Sequence, residues 1–155
     1  YILARYAKKH YGFCIKGEKQ PVPALQAAAA VVLMAACIAL NAWDRGTLKI
    51  LGEFAGKELP QFVFQYIYYI FEVMLVLSVI AYGQKAGEMW FKKPLVPWGG
   101  ILAGLTWGLV HTLTKGDIIV GLEAMVAAVL YGGIYLLVKK RAVDAYPLIL
   151  LAFAL

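Results

Sequence analysis

Apolar residues come in four long runs separated by short charged punctuation: residues 22–43, 61–82, 95–114 and 118–138. A fifth run opens near Tyr146 and reaches Leu155. A bilayer core of about 30 Å takes about 20 helical residues to cross. Each of the first four runs meets that length and the fifth reaches half of it. The pattern predicts an all-α, polytopic transmembrane helix bundle of four full spans plus a truncated fifth. Prolines mark the entries: Pro21 and Pro23 before the first run, Pro60 before the second, Pro94 and Pro97 before the third, Pro147 in the fifth. The first helical turn tolerates proline because its missing N–H has no partner there. Gly83 and Gly87 read as the end of the second span. Lys115-Gly116-Asp117 reads as a tight turn that makes the third and fourth spans antiparallel neighbours.

Composition strengthens this picture. The chain is 63% hydrophobic and only 15% charged, with a mean hydropathy of +0.73, whereas soluble domains carry about 25% charge. The 155 residues suit one membrane domain, residues 1–155. An opening Tyr1 and a closing Leu155 inside an apolar run read as a fragment of a longer chain. Residues 1–20 lack the apolar core of a cleavable signal peptide. Cys14 and Cys37 stand alone, without the spacing of a disulfide framework or a zinc knuckle.

Charge sets the orientation. Net charge is +6, but the basic residues flank the spans, so topology explains them and no nucleic-acid partner is implied. Alternate segments carry eleven Lys and Arg on one side and four on the other. The positive-inside rule then puts the N-terminal segment and residues 82–94 and 139–144 in the cytoplasm. The expected setting is multi-pass in the cell membrane, with the lipid bilayer as partner and a membrane protein as a candidate second one. Residues 48–59 mix apolar and charged positions at roughly helical spacing and fit either a short surface helix or a loop.

Three ionisable groups fall inside the spans: Glu72, His111 and Glu123. A charge at membrane depth costs roughly 2.5–3.5 kcal/mol on insertion scales, so such groups face a cavity, a bundle interior or one another. The turn at Gly116 brings His111 and Glu123 toward similar depth, where a His–Glu pair is plausible. By helical rise, Glu72 lies near mid-membrane and His111 about 5 Å from the outer edge. Gly100, Gly104 and Gly108, at four-residue spacing, read as a packing stripe, and the run Ala27–Ala30 reads likewise. Phe62, Phe64, Tyr66, Tyr68, Tyr69 and Phe71 read as an outer aromatic belt continuing into the bundle, or as the lining of a lipid-substrate cavity.

A glutamate on one helix is followed about forty residues later by an aromatic-x-x-x-His, here Trp107-Gly-Leu-Val-His111. Then come a helix with Gly132-Gly133, a short basic loop and Tyr146-Pro147. This order resembles the CPBP family of CAAX-processing and bacteriocin-processing intramembrane metalloproteases, over roughly residues 68–155. The resemblance implies a zinc-type site in which Glu72 and His111 act in catalysis and bind metal. Glu123 is a candidate third ligand from outside the family pattern. The chain departs from that pattern at Phe71, where a second glutamate belongs. It departs again at Val76 and Leu77, where an arginine belongs, and at Ala152, where the second histidine belongs. These departures favour a divergent, non-proteolytic membrane module of partner-binding or immunity type. The alternatives are an active metal-dependent hydrolase and a proton- or cation-coupled transporter component.

Overall fold

In the computed structural model, which describes residues 2–155, the elements are helical and no strand occurs among the described residues. Helix α1 (Ile2–Tyr11) precedes α2 (Ala24–Arg45), which starts directly after Pro23 and stops at Gly46 in the left-handed region (φ +70°). A short α3 (Lys49–Ala55) follows, so residues 48–59 do hold a surface helix. Helix α4 (Leu59–Phe91) has Pro60 in its first turn and runs 33 residues, about 50 Å at 1.5 Å per residue.

That length corrects one expectation. The second helix does not end at Gly83 and Gly87; it continues to Phe91, and only residues 92–97 link it onward. A glycine inside a helix costs only about 1 kcal/mol against alanine, and here both serve close packing. A Cβ on Gly83 would press on Leu102, and one on Gly87 on the Trp98 ring. The helix stops instead at Lys92, itself left-handed (φ 58°), with Pro94 just beyond to prevent restarting.

The third expected span is not one regular helix. It comprises α5 (Trp98–Ala103), a five-residue π-helical segment (Gly104–Gly108) and α6 (Leu109–Lys115) in unbroken succession. Gly116 (φ +68°) then turns the chain, and the Asp117 side chain caps α7 (Ile118–Leu137) by accepting from Ile119 N–H at 2.8 Å. The last helix, α8 (Ala142–Ala154), begins earlier than Tyr146 and holds Pro147 in its interior. Proline there leaves the Val143 carbonyl without its helical donor, and Val143 is exposed. Three helices, α2, α4 and α7, are long and apolar enough to cross a membrane; α8 is a shorter apolar helix of 13 residues.

The core lies where α4, α7 and α8 meet, with Ile80, Ala128, Ile134, Ala145 and Ile149 fully buried, and α2 adds Ala30 and Cys37. Outside it the surface is apolar: Trp43, Phe64, Leu75 and Leu113 are all exposed. An apolar exterior that wide is what lipid, rather than water, covers.

Contacts divide the bundle into two ends. At one end Phe13 packs edge-on against Tyr82 (5.5 Å), Arg141 donates to the Gln20 carbonyl (3.4 Å), and Lys140 pairs with Glu88 (2.6 Å). At the other, Lys49 N–H donates to the Leu155 carbonyl (2.7 Å) and α3 covers the C-terminal end of α8.

Candidate functional site

Glu72 is half-buried on α4, one turn after Tyr68. Its carboxylate accepts a hydrogen bond from the Trp107 indole N–H (Nε1 to Oε1, 3.0 Å). The expected depth gap closes because α4 runs on to Phe91. Gly83 lies against Leu102 and Gly87 against Trp98, and the same antiparallel register carried along the two rods sets Glu72 level with His111, about one turn from Trp107. The long indole side chain bridges that turn.

The π-helical segment presents Trp107. It puts one extra residue into a turn, which rotates the residues after it by about 100° relative to a straight α-helix. The segment packs closely on α7. Gly104 and Gly108 lie so close to Met125 of α7 that a Cβ on either would collide with the Met125 backbone or side chain.

His111 stacks edge-on against Trp107 (4.7 Å, 69°), and its Nδ1 lies 2.8 Å from the Trp107 carbonyl. A carbonyl only accepts, so Nδ1 is the donor here, and the Trp107 carbonyl leaves Nε2 free for another partner. The Phe153 ring of α8 completes the group, 6.0 Å from the Trp107 ring and 4.9 Å from Tyr69.

Glu123 stays apart. Gly121 lies against Thr112 and Gly108 against Ala124 and Met125, which sets α6 and α7 in register. Yet Glu123 is exposed, and its charged neighbours are Asp44, Asp117 and Arg45. Among the described residues no hydrogen bond or ion pair joins it to His111. The plausible His–Glu pair is therefore not formed: the helices share a register, but the two side chains leave them in different directions. Ala152, at the place of the second histidine, is buried in the core. A catalytic zinc keeps three protein ligands. Among the described residues no three His, Cys, Asp or Glu side chains gather where one ion could reach them. The residues present do not fit such a metal.

A second polar group lies outward of the first. Lys49 is 7% exposed. Its ammonium donates to the Phe153 carbonyl (2.8 Å) and sits over the rings of Phe153 (3.9 Å) and Tyr69 (4.1 Å). Burial lowers its pKa to about 8 against the opposing pull of Glu53 and, farther off, of Glu72. Glu53 accepts from the Tyr69 hydroxyl (2.5 Å) and from Lys57 (3.0 Å). Burial alone would raise the Glu53 carboxyl; those two hydrogen bonds, with the nearby lysine charges, hold it below the ordinary range. An open cleft of about 430 Å³ borders this corner, lined by Arg45, Lys49, Glu53 and Lys57 among others.

The aromatic run divides by helical face. Phe62, Tyr66 and Tyr69 turn inward in successive ring contacts, and Tyr66 donates to the Ala154 carbonyl (2.9 Å). Phe64, Tyr68 and Phe71 face out. Sequence reasoning passed over Lys49 and Glu53, whose sole signal was charge set among Leu48, Ile50, Leu51 and Phe54. It also treated Trp107 as a stand-in for phenylalanine, although the indole N–H is what reaches Glu72. A scan of protein-family models and searches of curated proteins and of solved structures find nothing that matches this chain.

Proposed function

We propose that the chain is a divergent, CPBP-like polytopic membrane module that binds a membrane partner, of partner-binding or immunity type, and does not hydrolyse one. The observation that carries this reading is the Trp107–Glu72 hydrogen bond. A carboxylate that must activate water needs its acceptor positions turned toward that water. Glu72 instead holds two helices together through an indole that phenylalanine could not replace. The convergence of α4, Trp107 and the Phe153 end of α8 on one spot supports the resemblance in helix order. Ala152 and the distant Glu123 support loss of its chemistry.

On the same reading, residues 98–115 are a fourth crossing. Asp117 and Asp44 both lie within electrostatic reach of Glu123, so α7 starts near where α2 ends. The rod therefore has to return the chain across the bilayer from the end of α4. Its 18 residues span about 27 Å. The excess of Lys and Arg at the Phe13–Tyr82 end assigns that end to the cytoplasm.

Metal content of the detergent-purified protein tests the proposal, with Glu72→Gln and His111→Ala beside the wild type. Zinc well below one per chain, unchanged by either substitution, is the expected result. Near-stoichiometric zinc that both substitutions remove overturns it and restores the hydrolase.

A further inference from the structure

Helix α1 is ten residues long, and among the described residues no other helix makes more than slight contact with it. Its two sides differ. Leu3 and Tyr6 lie on one side, 59% and 52% exposed, with the His10 ring between them, 4.4 Å from Tyr6. Arg5 and Lys8, three residues apart, lie on the other. Ile2, 85% exposed, and Lys9 sit side by side at the border, seven residues apart.

An exposed apolar face of this kind needs cover, and its surroundings say of what kind. The chain leaves α1 through a turn in which Phe13 N–H donates to the Ala7 carbonyl (3.2 Å), and Phe13 then packs on Tyr82 of the long apolar helix α4. That contact holds α1 at one end of the membrane-crossing bundle. The same end carries Lys85, Lys92, Lys93, Lys139 and Arg141. A short helix with aliphatic and aromatic residues on one face and lysines on the other lies in the plane of a membrane interface. Its lysines gain about 1 kcal/mol each near an anionic surface.

We infer that α1 is an interfacial anchor that lies on anionic phospholipid, with Leu3 and Tyr6 at the acyl boundary, Arg5 and Lys8 among the headgroups, and Ile2 and Lys9 at the border between the two. This surface is remote from Glu72, and its role holds whether or not that site binds metal.

The test uses the whole chain in vesicles, with Cys14→Ser and Cys37→Ala and an environment-sensitive fluorophore on Leu3→Cys. Vesicles of phosphatidylcholine alone are compared with vesicles containing phosphatidylglycerol. Expected is apolar emission, quenched by nitroxide on the acyl chains, in the anionic vesicles. High salt reverses it in the otherwise unaltered protein. Lys8→Gln with Lys9→Gln lowers the ratio of lipid-bound to water-exposed α1 about 25-fold, roughly fivefold per charge. Water-like emission in anionic vesicles overturns the inference. So does apolar emission indifferent to salt and lipid charge, or one that grows with protein-to-lipid ratio, which identifies a second copy as the cover.

Discussion

The two ends of the α4–α7 bundle are built by opposite means. Toward the Gln84 end, the helices meet through what is missing. Gly99 sits so close to the Ile80 carbonyl that a Cβ would overlap it, and Gly100 and Gly132 face each other across α5 and α7. The buried Gln84 side chain there is satisfied throughout, although the Tyr135 hydroxyl, also buried, has no hydrogen-bond partner among the described residues. Gln84 donates to Glu88 (2.8 Å) and to the Val96 carbonyl (3.0 Å), and accepts from Gly99 N–H (3.2 Å). Toward the Glu72 end, the helices meet through what is added: indole, imidazole, phenol, ammonium and carboxylate. Backbone-to-backbone packing tolerates no substitution and leaves no room for a ligand. Polar and aromatic packing leaves unused hydrogen-bonding capacity, at His111 Nε2 and along the cleft beside Lys49. The second end is the one that the proposed partner-binding reading draws on.

Substitutions test that contrast. The largest effect belongs to Gly99→Ala. Overpacking typically costs about 1–3 kcal/mol and can exceed it where backbone cannot yield. Gly99→Ala should therefore lower the thermal unfolding midpoint in detergent most, whereas Gly116→Ala, with open space around it but φ +68°, should cost about 1 kcal/mol. Equal losses at the two positions would break the picture of a glycine-seated seam.

Next comes Lys49. Its pKa in the folded chain lies near 8 and its ordinary value is 10.5. Between those values the unfolded chain binds the extra proton, so stability rises with pH from about 8 to about 10.5 and is flat below. The full change is on the order of 3 kcal/mol. An unfolding midpoint that climbs over this window, and no longer does so in Lys49→Met, is the expected measurement. A falling midpoint would mean that the ammonium is favoured by Phe153 and the rings more than burial opposes it.

Trp107→Phe should cost about 1–2 kcal/mol by removing the indole donor that ties the half-buried Glu72 carboxylate to the α5–α6 rod. Glu72→Gln, whose amide oxygen still accepts, should cost less. Chemical denaturation of the two variants separates a structural hydrogen bond from an idle one: equal losses would sink the bond's importance. The smallest effect is at Lys57→Ala. Its pair with Glu53 is partly exposed and such pairs contribute about 0.2–1 kcal/mol, so the variant should unfold within about 4 °C of the wild type.

Much of this was legible in the chain. Twenty-residue apolar runs have few alternatives to helices once lipid is the solvent, because every backbone group must be satisfied internally. That made α2, α4 and α7 readable, along with the Asp117 turn and the glycine packing stripe. Helix ends were read less well. Gly83 and Gly87 look like stop signals in a linear string, and only the approach of Leu102 and Trp98 shows them as contact surfaces. Glu72 and His111 stood out because charge is rare at depth. Lys49 did not, because a lysine in a linker is ordinary until a helix end is placed on it.

By itself, then, the sequence determined the all-helical membrane architecture, its punctuation and the short list of polar groups within it. The cause is the bilayer's demand on every residue it contacts, which acts position by position. Tertiary structure alone decided which of those groups meet. It turned Trp107 onto Glu72 through a π-helical turn packed against Met125, sent Glu123 away from the bundle, and closed Lys49 over the end of α8. Those outcomes depend on the rotation and register of packed helices, and a single inserted residue per turn changes both.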